Sequence, residues 1–424
     1  VTQPTPKVRL SRWHRLSVTL AVLATAIGVG YGAVADTWTG RDGDDRANVR
    51  STTPAASVRT PAAPPTAVGD TRHDLVPDRA LGPNAPLAGM PPVLGDNIYA
   101  AAGANMLSPV VRADPYRIYV PESGGSAVDV IDPNTMQIVS RFQTGRNPQH
   151  VVPSYDLRTL YVTNDLGNSL TPIDPRTTRP RRSIPVDDPY NMYYTPDGRY
   201  AIVVAEAHRH LDFRDPRTFA LRHRVPVDCA GVDHMDFAAN GGYLIATCEF
   251  SGQLVKVNLH TFSVVRYLRL RGSSPQDIKL DPTGTLFYVA DRYRGGVWLV
   301  SAATFRPIGF IKTGRDAHGL YPSRNAKFLY VTNRRSGSVS VISFATRRIV
   351  KTWRLPGGGS PDMGNTSPDG KVLWLAGRYS SRVYAISTVD GHLIGSVAVG
   401  PSPHGLCVWP QPGRYSLGHT GVTR

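Results

Sequence analysis

The sequence predicts an all-β chain: a β-propeller of four-stranded blades behind an N-terminal export segment. Period, punctuation and composition predict it. An apolar string, closed by a polar residue in six cases and by Gly in the seventh, recurs with successive starts 42 to 44 residues apart from Tyr119 to Trp374, the length of one four-stranded blade. Pro-Asp-Gly and Asp-Pro pairs fall between the strings, and such residues set turns because proline fixes φ and glycine accepts positive φ. The composition agrees: 40 Gly and 36 Pro in 424 residues are too many for a helical bundle. Apolar runs recur without a Gly-X-Y period, which excludes disordered and collagen-like chains.

The N-terminal elements come first. Residues 1–15 carry Lys7, Arg9, Arg12 and Arg15 and no acid, and Leu16 to Ala35 is free of charge. Twenty such residues make a helix about 30 Å long, enough to span a bilayer. The basic flank places the chain beyond the apolar run outside the cytoplasm. Ala33-Val34-Ala35 reads as a cleavage site, yet the apolar run exceeds a usual signal core. Residues 1–35 are therefore a signal peptide or a signal-anchor helix, and both stay open. Residues 36–85, rich in Pro, Ala and Thr, read as a disordered tether. Residues 86–424 are assigned to the propeller.

Within each repeat a short apolar strand is followed by a turn such as Pro196-Asp-Gly198 or Pro282-Thr-Gly284. The polar-ended string is the second strand: Tyr161-Val-Thr-Asn164 and Tyr330-Val-Thr-Asn333, with Tyr119-Val-Pro-Glu122, Val203-Val-Ala-Glu206, Ala246-Thr-Cys-Glu249, Tyr288-Val-Ala-Asp291 and Trp374-Leu-Ala-Gly377 as relatives. A third strand alternates with period two, as in Ser338-Val-Ser-Val-Ile342. These strings resemble the YVTN-repeat β-propeller family over roughly residues 105–424. The resemblance implies the fold and leaves function open, because propellers host many roles. First strands are expected near Pro109, His150, Asn191, His234, Asp277, His318, Asp362 and His404. That count favours eight blades, residues 86–104 supplying the missing outer strands; seven is the alternative, with one end of the chain packed outside the ring.

The first strands line the channel, and antiparallel pairing puts each first-strand start beside a second-strand end on one face. His150, Asn191, His234, Asp277, His318, Asp362 and His404 share that face with Glu122, Glu206, Glu249 and Asp291, and with Asn164, Asn333 and His419 at the remaining second-strand ends. The chain has three Glu, all at this repeat position. These residues are the candidate ligand-binding set. Imidazole suits zinc, copper, iron and nickel, so His150, His234, His318 and His404 are candidate ligands for a metal at the channel mouth. The competing reading is a ring of polar groups that satisfy one another and channel water. His208 and His210 form a further local pair.

Cys229 and Cys248 fall on the same face of one blade and are expected to pair as a disulfide. Cys407, in an apolar strand, is expected to be a buried thiol. No nucleotide-binding, nucleophile-elbow or zincin motif occurs. Residues 101–424 carry a net charge of +14, a field that attracts polyanions. Outside the cytoplasm these are anionic wall polymers or lipid head groups; a stacking platform for nucleic acid is not evident. The expected function is a monomeric, extracytoplasmic recognition or scaffold propeller of the cell envelope, tethered to the membrane where the helix is uncleaved, with a ligand or protein partner at the channel face. The alternative is an enzyme using the His/carboxylate ring: a metal- or haem-assisted oxidoreductase, or a lactone hydrolase.

Overall fold

The structure is a computed structural model that describes residues 97–424. The expected apolar helix and tether lie outside the described residues. Among the described residues, no helix is long and apolar enough to cross a membrane.

Seven antiparallel sheets follow one another along the chain. The inner strands of blades two to seven are Pro148–Pro153, Pro189–Tyr194, Val232–Phe237, Pro275–Leu280, Ala317–Pro322 and Pro361–Thr366. Burial falls from the inside outward. Every residue of Leu160–Asn164, the second strand of blade two, is buried, whereas the outermost strand of blade one, Gln137–Gln143, is exposed or half-buried throughout. Apolar faces of adjacent blades interlock: Tyr119 and Val128 of blade one pack with Val151 and Val162 of blade two and with Trp409. Fully burying one such Val or Leu contributes about 1.5–3 kcal/mol.

The blade count corrects the expectation of eight. Cys407–Trp409 pairs with Arg117–Glu122, with Tyr119 opposite Cys407. It is therefore the inner strand of blade one, which continues through Ala127–Asp132 to Gln137–Gln143. The strand heralded by His404 closes the first blade and does not begin an eighth. Pro109 lies in a turn, because the inner position of blade one is already taken. Closure of this kind joins early and late segments of the chain in one sheet and leaves only the short outer strands of the blades as edges.

The residues left over by that closure seal one end of the channel. Residues 97–107 do not form outer strands. They cross the face opposite His150, where Ile98 N–H donates to Pro282 O and Asn105 N–H to Pro368 O. Beyond Trp409 the chain turns into the channel as a hairpin, Ser416–Gly418 with Val422–Thr423, added to the inner strand of blade three. Across the channel, Thr420 Oγ1 donates to Gly364 O of blade seven at 3.0 Å. Gly418 permits this seating: φ is +97°, and a Cβ there would lie 2.5 Å from Met192 O.

Candidate functional site

The inner strands place one polar side chain per blade at the axis through a shared irregularity. In blades two and four to seven the pairing of first and second strands slips near the strand start, between Pro148 and His150, Val232 and Met235, Pro275 and Ile278, Ala317 and Leu320, and Pro361 and Gly364. Blade three slips between Asn191 and Pro189. Such bulges re-aim side chains, and here they carry His150, His234, Asp277, His318, Asp362 and Asn191. All six, with His404, are buried.

The four histidines close a ring about the axis. Ring centroids are 4.9 Å apart for His150 and His404, 5.6 Å for His404 and His318, 6.0 Å for His318 and His234, and 5.6 Å for His234 and His150. His419, at the tip of the channel hairpin, is a fifth member, 5.3 Å from His150 and 5.1 Å from His234. Its place corrects the expectation that it ends a second strand. The channel is narrow enough for histidines of different blades to meet.

Oxygens fix the outer nitrogens. His150 Nδ1 lies 3.0 Å from Tyr190 O. Asp362 serves two rings, Oδ2 at 2.7 Å from His404 Nδ1 and Oδ1 at 3.0 Å from His318 Nδ1. His234 Nδ1 is 3.2 Å from Asp233 Oδ2, an ion-pair contact without hydrogen-bond geometry. An Nδ1 proton donated to an oxygen leaves Nε2 with a lone pair. Burial, and then repulsion from neighbouring histidines, holds His150 well below the ordinary imidazole range. Burial, and then Arg334 and Arg378 respectively, pushes His318 and His404 down to about 3. Burial also depresses His234, but the Asp233 carboxylate outweighs it and raises the group. Asp233 itself is pushed up to about 6 by burial.

The second-strand acids divide. Glu206 is half-buried, and no ion-pair partner for it occurs among the described residues. Burial and then repulsion from Asp233 and Glu249 raise its carboxyl well above the usual range. Glu249 pairs with Arg292 at 2.6 Å. The other two acids do not join the channel group. Glu122 turns along its blade to Arg141 on the outermost strand, at 2.5 Å. Asp291 accepts Arg294 N–H at 3.0 Å and Trp298 Nε1–H at 2.9 Å, the work of a turn. Asp277 ion-pairs with Lys279 at 2.6 Å and accepts Leu320 N–H at 2.9 Å. His208 and His210 face Asp187 and Asp212.

Sequence reasoning missed Asp233, Tyr190, Arg334 and Arg378. Asp233 had a local signal in its adjacency to His234. Arg334, 5% exposed, joins Asp316 at 2.9 Å to Asp362 at 3.5 Å, and nothing in the repeat pattern marks it. Cys229 and Cys248 are joined in a disulfide, Cα atoms 5.9 Å apart, and Cys407 is free and buried.

A seven-bladed ring sealed at one end, with buried polar side chains gathered round the axis toward the other, is a β-propeller with a polar channel mouth, here called the cup. The chain belongs to the YNCE-like beta-propeller family, which it matches over residues 75–412. No curated protein matches significantly. Among solved structures the chain is similar to the periplasmic gluconolactonase PpgL of Pseudomonas aeruginosa, with TM-score 0.59 and 19% identity, covering 70% of this chain and 99% of that one. It is similar to a functionally unknown protein of Desulfotomaculum acetoxidans, with TM-score 0.58 and 16% identity over 69% and 98%. A third is the dihydro-heme d1 dehydrogenase NirN, with TM-score 0.54 and 15% identity over 71% and 77%. At these identities the likeness is one of fold.

Proposed function

We propose that the chain is an extracytoplasmic ligand-binding propeller, a recognition or scaffold protein of the cell envelope, whose site is the cup between the histidine ring and the mouth. The observation that carries this reading is convergence: one buried polar side chain from each blade meets at the axis, above a floor made by the chain itself. A structural ring would satisfy its own polar atoms, yet Nε2 of His150, His234 and His419 has no hydrogen-bond partner among the described residues. Of the charged groups at this face, Glu249 is paired with Arg292 and Arg334 with Asp316. Glu206 and Arg378, neither with an ion-pair partner among the described residues, are left for a small polar ligand with both a basic and an acidic group. Toward the rim, exposed Phe250 lines one surface hollow with Arg271, Arg292 lies over exposed Tyr293 and Arg335 over exposed Tyr379, chemistry that favours an anionic wall polymer as neighbour. The disulfide fits an oxidising compartment, as does the basic flank before the apolar run; a cytoplasm-only reporter fused after Arg59 should stay silent.

Native mass spectrometry of protein isolated from its own envelope tests the site. The wild type should carry a bound small molecule that Glu206→Gln and Arg378→Ala lose while staying folded. An unliganded wild type, or unchanged occupancy in both variants, refutes the reading. One observation favours a second reading, lactone hydrolysis: Glu206, its carboxyl raised well above the usual range by burial and neighbouring carboxylates, shares the cup with imidazoles whose Nε2 has no partner among the described residues, the groups that acid–base catalysis needs. Turnover of gluconolactone that fails in Glu206→Gln would select it.

A further inference from the structure

We propose that His150, His234 and His419 form a binding site for one divalent transition-metal ion of the zinc or copper class, on the floor of the cup. The inference rests on the cup being the working site. One nitrogen from each of these three residues lies within 4.8 Å of one from each of the others, and all three residues are buried. The same three are the histidines whose Nε2 is buried without a partner. Leaving such groups unmade is costly, and three of them on one point suits a shared electrophile. A tetrahedral ion with Zn–N bonds near 2.0–2.1 Å needs nitrogens about 3.3 Å apart, which small rotations of the rings supply.

The outer contacts match those of metal-bound histidines, which hold their other nitrogen against an oxygen. His150 has Tyr190 O at 3.0 Å, and His234 has the Asp233 carboxylate at 3.2 Å as an ion-pair contact. His419 has Asn191, whose Nδ2 is 3.0 Å from Nδ1 while its Oδ1 accepts Met192 N–H at 2.8 Å. Ligation through His419 Nε2 therefore turns the Asn191 amide, so that its oxygen takes the Nδ1 proton. His318 and His404 stay outside the triad, held by Asp362. Imidazole donors without thiolate suit zinc, copper or nickel and not magnesium or calcium, which take oxygen ligands. Asp233, and Asp277 with Oδ1 3.9 Å from His419 Nε2, answer the charge of the cation. A tetrahedral ion held by three imidazoles keeps a fourth position for water or for the ligand.

The test uses the whole chain, stripped by a chelator and titrated with Zn2+ against a fluorescent competitor. The expected result is one equivalent per chain, weakened at least 100-fold in His150→Gln and in His419→Gln, and unchanged in His392→Ala and His208→Ala, which probe surface imidazoles. Co2+ added to the wild type should give the intense visible bands of a four-coordinate site without thiolate charge transfer, a readout independent of any variant's folding. No stoichiometric Zn2+, a six-coordinate Co2+ spectrum, or undiminished binding in His419→Gln overturns the proposal. Because these variants leave Glu206 and Arg378 in place, loss of the metal site is separable from loss of the mouth ligand.

Discussion

Replacing Asp362 with Asn should cost about 3 kcal/mol of stability at pH 7. The carboxylate accepts from His404 and His318 at 2.7 and 3.0 Å and faces Arg334 at 3.5 Å. A hydrogen bond to a charged group contributes about 1.5–3 kcal/mol. The amide oxygen of Asn accepts from one imidazole, and the amide NH2 forces the other into the opposite tautomer. Arg334 keeps Asp316 at 2.9 Å, so the loss sits at the low end of the ~3–5 kcal/mol of a broken buried pair. Urea unfolding at pH 7 measures it as a lower midpoint with an unchanged slope. The pH dependence has a definite sign. Burial opposes ionisation of Asp362, but His318, His404 and Arg334 outweigh it and hold the carboxyl well below the usual range. Its stabilisation is therefore present above the unfolded value of about 3.9 and declines below it, by about 0.7 kcal/mol at pH 3.5. Equal stability of the two proteins at pH 7, or a gap that widens on acidification to pH 3.5, refutes the reasoning.

Two further outcomes concern other parts of the ring. Cys229→Ser with Cys248→Ser opens a loop with a sequence separation of 19 and should lower stability by about 3 kcal/mol, a difference that vanishes when both proteins are unfolded in reductant. Asp165 is pushed up to about 7 by burial and by Asp188, so the folded state retains its proton. That contribution is full below the unfolded value and is lost as pH rises through about 7. Asp165→Asn should flatten the decline of melting temperature between pH 5 and 8, and a steeper decline in the variant contradicts the assignment.

Much of this was legible because a propeller repeats its geometry. His150, Asn191, His234, Asp277, His318, Asp362 and His404 could be read as one set, since each precedes an apolar strand at a constant phase. The bulges that aim them follow from backbone pairing and leave no mark on composition. What was not legible depends on contacts between distant segments. The residues after His404 look like the start of another blade, and only pairing of Cys407 with Tyr119 shows that they finish the first. His419 has the local signature of a strand end, and it reaches the axis because Gly418 lets the hairpin lie against Met192. Glu122 and Asp291 share the phase of Glu206, yet Arg141 and Trp298 draw them to other tasks.

The hairpin that carries His419 ties assembly to competence. The segment from Cys407 onward both locks the circle and lays the cup's base, so a chain interrupted before it has neither. In chain order this segment follows every other strand of the seven blades. Six complete sheets and a partial one would stand with their margins exposed, and the histidines of separate blades would face an open shaft. The cup would then exist only in molecules whose two ends have met, which makes occupancy of the floor a report on completed folding.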